Sequence, residues 1–226
     1  MERSRPSAEA RVGELEAELT DVRAALEEHL RGAEALAAAP SAPESDRLNW
    51  GSESQRALSA VLVGLTEWRS VLKHAVGTLG SEGGWDATIA WCPDGPSRSM
   101  RCGAIWMRDP AGLAKLETRT WQHRQDASTA EFGRARNRIA ATCLLELQSA
   151  EDPLLRAAAA EGMGSALLVP INNDGETIAM LELLSRRATA PSAELMVSLE
   201  ATALQLGALA QLLKLADAPR WRMGRL

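Results

Sequence analysis

Residues Gly162–Leu184 read GMGSALLVPINNDGETIAMLELL, and this stretch decides the fold. Two apolar runs, Ala166–Ile171 and Thr177–Leu184, flank Asn172-Asn173-Asp174-Gly175-Glu176. Each run has strand length, and Asp-Gly between two such runs is the strongest short-range hairpin signal. Both are apolar at nearly every position, which predicts strands buried on both faces. Such a hairpin needs helices over one face of its sheet and further cover over the other.

Working outward, Pro153–Glu161 reads as a helix with proline at its start and Gly162 past its end. After the hairpin and Pro191, Ser192 is an N-cap for a helix reaching about Leu215, where Pro219 is expected to stop it. Its residues Leu195, Leu199, Thr202, Leu206, Leu209 and Leu213 form a seam. Upstream, Ala87–Cys92 and Met100–Arg108 are strand candidates close enough to make an antiparallel hairpin. Ala111–Gln122 has helix-forming composition, and His123–Arg134, polar and patternless, reads as a loop. Leu144–Leu147 reads as a short strand. A long helix is predicted over Glu53–Leu79, with Val61, Leu65, Trp68, Leu72, Ala75 and Leu79 on one stripe and Gly80, Gly83 and Gly84 ending it.

Further out, Val12, Leu15, Leu19, Val22, Leu26, His29, Ala33 and Leu36 step 3, 4, 3, 4, 3, 4, 3, an unbroken heptad seam. So narrow a stripe needs a partner helix, and a homodimeric coiled coil is the economical expectation. His29 is either a tolerated polar residue on that seam or a pH-sensitive one. Ala37–Asn49, with Pro40 and Pro43, reads as a linker. The expected organisation is a coiled-coil helix over 1–39, a linker over 40–49, a domain over 50–216 and a basic tail over 217–226.

The net charge of −5 resides in residues 9–36, with eight acidic side chains and three arginines; the remaining charges balance at 22 against 22. No basic face is implied, which argues against nucleic acid as a partner. No run approaches 18 apolar residues and MERSRPSAEAR is no secretory signal, so neither a membrane nor export is expected and a cytoplasmic protein is. Cys92, Cys102 and Cys143 are odd in number and lack metal-ligand spacing, which disfavours a disulfide framework and a zinc site.

The element order implies an α+β fold: an antiparallel sheet with long first and last helices on one face and short helices and loops on the other, enclosing a pocket. From Trp50 to Leu215 this order resembles a GAF domain, a small-molecule sensing module of the PAS-like superfamily. Trp85-Asp86 with Ile89-Ala90-Trp91 is similar to the family's Gly-Trp-Asp opening, and Trp106 to the tryptophan that ends its second strand. Glu161-Gly162-Met163-Gly164-Ser165-Ala166 resembles the Gly-Leu-x-Ser/Ala step, and Val169-Pro170-Ile171 the Val-Pro-Ile/Val strand end. Gly175-Glu176 with Ile178, Met180 and Leu181 resembles the next strand, with Ala179 where glycine is usual. Ala203-Leu204-Gln205-Leu206 is similar to the Ala-x-Gln-Ile/Leu of the final helix. Between Phe132 and Asn137 only Gly133 remains of a glycine-rich motif that precedes an Arg-Val/Ile pair, here Arg138-Ile139. That region forms a pocket wall in the family, so no particular ligand carries over.

The resemblance implies ligand-binding candidates at Trp91, Cys102, Trp106, Trp121, His123 and Arg138. The tryptophans either line a pocket for a flat ligand or fill the core. Cys92 and Cys102, on neighbouring strands, would serve a thiol-dependent reductase or redox sensor of the kind known on this fold, or are small core residues. His123 is the better of two histidines for haem; Arg138 and Arg156 would meet an acidic ligand or are surface arginines. No cysteine is followed by histidine as bilin attachment requires, the Asn-Lys-x-Phe-Asp-Glu signature of cyclic-nucleotide binders is absent, and no metal site is expected. The cofactor stays unassigned. The expected function is a non-catalytic sensory or regulatory GAF-type protein. It is expected to dimerise through 12–36, 53–79 and 192–215, to bind a small ligand or a separate signalling partner, and to transmit the change through its helices. The alternatives are a scaffold with a vestigial pocket and the thiol enzyme.

Overall fold

The computed structural model describes residues 50–94, 99–126, 129–138 and 140–222. The chain divides into two units, residues 1–42 and 43–226, and the second is described below. The heptad seam of residues 12–36, with His29, lies outside the described residues.

The helices are α1 (Ser52–Leu62), α2 (Trp68–Gly83), α3 (Ala114–Gln122), α4 (Ala130–Arg138), α5 (Pro153–Ala160) and α6 (Ala193–Arg222). The strands are β1 (Ala87–Pro93), β2 (Ser99–Met107), β3 (Arg124–Asp126), β4 (Thr142–Leu144), β5 (Ser165–Asn173) and β6 (Glu176–Ser185). They form one sheet in the order β3-β2-β1-β6-β5-β4, antiparallel throughout. The β5–β6 hairpin turns through Asp174 and Gly175, both at positive φ (51° and 78°), as a tight hairpin turn requires. Seven consecutive residues of β5, Ser165–Ile171, are buried, and so are the last seven of β6, as expected of strands covered on both faces.

Alternation along these strands divides the core in two. On one face α1, α2 and α6 cover Ala90, Ala104, Leu167, Val169, Leu181 and Leu183. On the other, α3, α4 and α5 cover Ile89, Trp91, Met100, Leu168, Met180 and Leu184. The α+β architecture with helices on both faces is the one the element order implied.

Four boundaries differ from the sequence reading. The predicted helix over 53–79 is two helices, because Val63 is extended and Gly64 adopts φ +84°. Leu58 and Leu62 then face the core, while Val61 is 41% exposed. The segment read as a loop after Gln122 carries β3 and α4, which its polar composition hid: β3 is an edge strand and α4 buries one narrow side, through Glu131, Phe132 and Ala135. The short strand falls at Thr142–Leu144, and Leu147–Ser149 is a 3₁₀ turn. Helix α6 continues through Pro219 to Arg222; a proline removes one ladder bond and bends a helix without forbidding it.

The seam of α6 is the core face of that helix: Leu195, Leu199, Thr202 and Leu206 are buried. Ser192 Oγ accepts from Leu195 N at 3.2 Å and caps it. Among the described residues α6 is the one helix that, over Ala193–Lys214, is long and apolar enough to cross a membrane by length and composition. Its buried side packs on β5, as the core helix of a folded domain does.

Candidate functional site

The face beneath α3–α5 is apolar except for a chain of polar side chains, and these define the candidate site. Glu182 of β6 is fully buried. Its neighbours across the sheet are Ile89 on β1 and Leu168 on β5, which fixes its side chain on this face. Trp91 Nε1 donates to Glu182 Oε2 at 2.7 Å, and Oε1 has no partner among the described residues. Burial, and then the charge of Asp152, push the Glu182 carboxyl up to about 8, against the Trp91 hydrogen bond.

Asp152 stands just before α5, where Pro153 opens the helix. Its Oδ1 accepts from Leu154 N at 2.7 Å, so it caps the helix, while Oδ2 has no partner among the described residues. His123 Nε2 lies 3.4 Å from Asp152 Oδ1. The His123 ring meets Trp91 edge-on at 6.0 Å, and Phe132 meets the same indole at 6.3 Å. Glu182, Trp91, His123 and Asp152 thus form one connected row. On the same side of the sheet Gln125, opposite Met100, is 1% exposed and both ends of its amide lack a partner among the described residues; Glu131 Oε1 accepts from Glu151 N at 2.7 Å, and Oε2 has no partner among them. Buried polar atoms in native proteins are nearly always hydrogen-bonded, so a run of exceptions on one face marks a place of special chemistry.

Outside this row lies a groove of about 340 Å³ lined by Arg119, Gln122, His123, Pro153, Leu154 and Ala157. Its inner wall is His123, half-shielded with Asp152 behind it. Deeper in, Trp91, Leu116 and Phe132 are at most 1% exposed and fill the space between sheet and helices. A larger groove, about 580 Å³, opens beside Trp68, Ile178 and Leu213 and contains none of the six residues anticipated as ligand-binding.

The structure brings three of those six together: Trp91, Cys102 and His123 share the face just described. Trp106 lies on the other face, pressed against Gly80 of α2 so closely that a Cβ there would collide with its ring. Trp121 projects from α3 and is 47% exposed. Arg138 ends α4, and its side chain lies outside those described. Arg156 Nη1 donates to the carbonyls of Ala150 and Glu151 at 2.6 and 2.7 Å, so it clamps the loop before α5.

Cys102 pairs with Trp91 across β1–β2, whereas Cys92 pairs with Arg101, so the two thiols point to opposite faces. Burial raises the Cys92 thiol, against the nearby charges of Arg101 and Arg69. Burial, followed by Cys92 and Glu182, pushes Cys102 up to about 12, and burial alone takes Cys143 to about 11. Such thiols hold their protons and are weak nucleophiles. Among the described residues no three His, Cys, Asp or Glu side chains are grouped as metal ligands.

Glu182, Asp152, Gln125 and Glu131 escaped the sequence reading. Glu182 had a signal: it is the one charge inside the otherwise apolar Thr177–Leu184 run. Asp152-Pro153 carried a helix-start signal that concealed its second role.

No family model matches the sequence, and no curated protein does. Solved structures do match in shape. The GAF domain of a phosphoenolpyruvate-protein phosphotransferase from Coxiella burnetii superposes with a TM-score of 0.58 at 17% identity, covering 74% of this chain and 95% of that one. The chain has the GAF fold. A free methionine-R-sulfoxide reductase from Neisseria meningitidis, solved with its substrate, is similar at TM-score 0.60 and 16% identity over 76% of this chain and 99% of that one. The chromophore-binding domain of a bacteriophytochrome from R. palustris is similar at TM-score 0.58 and 13% identity; the match covers 73% of this chain and 62% of that one. GAF architecture therefore accounts for the sheet order and both helical layers, as the resemblance implied. At these identities the likeness concerns the fold.

Proposed function

We propose that this GAF-fold protein is a non-catalytic regulatory module in which a small ligand on the α3–α5 face alters the packing of helices on the other. The row Glu182–Trp91–His123–Asp152 carries this reading, because it places unsatisfied polar atoms in an otherwise apolar layer beneath a groove. A change at β6 reaches the helical layer directly, since alternate residues of that strand, Leu181 and Leu183, pack with α1, α2 and α6. The raised thiols favour regulation over the reductase alternative. The test is thermal denaturation of the full chain, joined to sedimentation, against nucleotides, tetrapyrroles, amino acids and sulfoxides. A ligand that saturably raises Tm and shifts association is expected; a chain that binds none of them is no sensor.

A second reading, a scaffold with a vestigial pocket, is favoured by the dense packing of Trp91, Leu116 and Phe132. In either reading the chain is proposed to act as a cytoplasmic homodimer. Helices α1 and α6 are joined by Gln55 Nε2 donating to Ser198 O and Gln205 Nε2 donating to Ser59 Oγ, both at 2.8 Å. Together with Val63 just past the end of α1 they present Val61, Val197, Leu204 and Leu212 to the outside, apolar side chains suited to a second copy.

A further inference from the structure

The chemistry of the groove and of what lies behind it specifies a class of ligand. Glu182 Oε1 and Asp152 Oδ2 are buried acceptors without partners among the described residues. No cationic side chain is among the groups that act on Glu182; those groups are Asp152 and Trp91. Two carboxyl groups in one apolar layer are costly when both are charged; a proton on Glu182, held up to about pH 8, relieves this, and a bound cation would take the proton's place. Of the donors already present, the Trp91 indole serves Glu182 Oε2 and the Leu154 amide serves Asp152 Oδ1, which also has His123 Nε2 at 3.4 Å. A compact donor with a positive charge and more than one N–H would serve the two oxygens left over, Glu182 Oε1 and Asp152 Oδ2.

The groove supplies the remaining constraints. Pro153, Leu154 and Ala157 make an apolar wall, and at about 340 Å³ it admits only a small molecule. His123 separates it from Asp152 and touches both that carboxylate and the Trp91 ring. For a ligand in the groove to reach these acceptors, His123 must turn aside about its side-chain bonds. The indole beside it is fully buried and would meet a cation only once His123 has turned aside. A divalent metal is a poorer match, since no three potential ligands are grouped among the described residues.

We propose that this groove, with Asp152 and Glu182 behind His123, is a binding site for a small primary ammonium ion carrying a short apolar chain. The ammonium donates to Asp152 Oδ2 and Glu182 Oε1, and the chain lies along Pro153, Leu154 and Ala157. This rests on the sensory reading above and names its ligand chemistry.

The test is calorimetric and thermal-shift titration of the full chain with n-butylammonium chloride, n-butanol and sodium butyrate at equal ionic strength. Saturable binding is expected for the ammonium alone. Its affinity should fall about tenfold or more in Glu182→Gln and in Asp152→Asn, the loss typical of a charge-assisted hydrogen bond. Each amide retains an oxygen that accepts the bond from Trp91 or from the Leu154 amide. The comparison of the three probes on the wild-type chain decides the matter even where a variant fails to fold. Equal binding of butanol or butyrate, unchanged affinity in both folded variants, or no ammonium binding overturns the proposal. If the wider ligand screen yields a binder while butylammonium does not bind, the sensory reading survives and this inference falls; if nothing binds, both fall.

Discussion

Glu182 places a titratable group where water does not reach, and its effect on stability has a definite sign. In the unfolded chain its carboxyl ionises near the ordinary glutamate value of 4.5, whereas in the fold burial and then Asp152 hold the proton on to about 8. Between these values the folded state binds more protons than the unfolded one, so stability falls as pH rises. The contribution is fully present below about 4.5 and is lost by the time pH has passed 8. Urea denaturation from pH 5 to pH 9 should show this decline, on the order of a few kcal/mol. Glu182→Gln should flatten it and be the more stable protein at the alkaline end. The groups that act on Glu182 are Asp152 at the start of α5 and Trp91 on β1, while Cys102 of β2 feels Glu182. An unchanged slope in the variant would assign the dependence elsewhere. The thiols give a second prediction. Cys102 should react with an aromatic disulfide at pH 8 at least about tenfold more slowly in folded than in urea-unfolded protein, since burial keeps it protonated. A fast-reacting Cys102 in the folded chain would revive the reductase reading. At this scale the sequence was partly legible: Trp91, Cys102 and His123 were picked out, and they converge. The carboxylates were not, because a lone glutamate in an apolar run and an aspartate before a proline each have a common structural explanation.

Elements were legible where their pattern came from burial and obscure where it came from close approach. The β5–β6 hairpin announced itself because strands covered on both faces must be apolar throughout, and Asp-Gly supplied the turn. The stripe over residues 53–79 concealed a break, since Gly64 interrupts the backbone without interrupting the run of apolar residues. Strand β3 and helix α4 were invisible, having little apolar surface to bury. The contact of α6 with the end of β5 belongs to the same class. Gly207 lies so close to the Asn172 carbonyl that a Cβ would collide with that oxygen. A backbone oxygen cannot rotate away as a side chain does. Gly207→Ala should therefore cost about 1–3 kcal/mol, the range for overpacking, despite the better helix propensity of alanine. A melting curve showing the variant more stable than wild type would mean that α6 is displaced from β5 without cost.

At the scale of the whole molecule, the two faces of the sheet serve different ends. One holds polar atoms within an apolar layer beside a groove; the other carries helices with apolar side chains left outside. The α6 seam read from the sequence is spent inside the domain, on Leu195, Leu199 and Leu206. A different stripe of the same helix, Val197, Leu204 and Leu212, remains exposed at 65%, 71% and 63%. These residues are spaced seven and eight apart, so they lie along one side of the helix. Burying each leucine in a dimer is worth about 1.5–3 kcal/mol, while leaving it in water stabilises nothing in the monomer. Sedimentation equilibrium of the full chain should therefore return twice the chain mass of 24.3 kDa. The double variant Leu204→Glu, Leu212→Glu should need at least about tenfold more protein to dimerise, because two carboxylates per chain would have to be buried or the contact opened. At concentrations where the wild type is itself monomeric the two melting temperatures should hardly differ, since both positions face solvent within one domain. A monomeric wild-type chain would remove association as the output, and a double variant that dimerises as wild type does would place the contact on another surface.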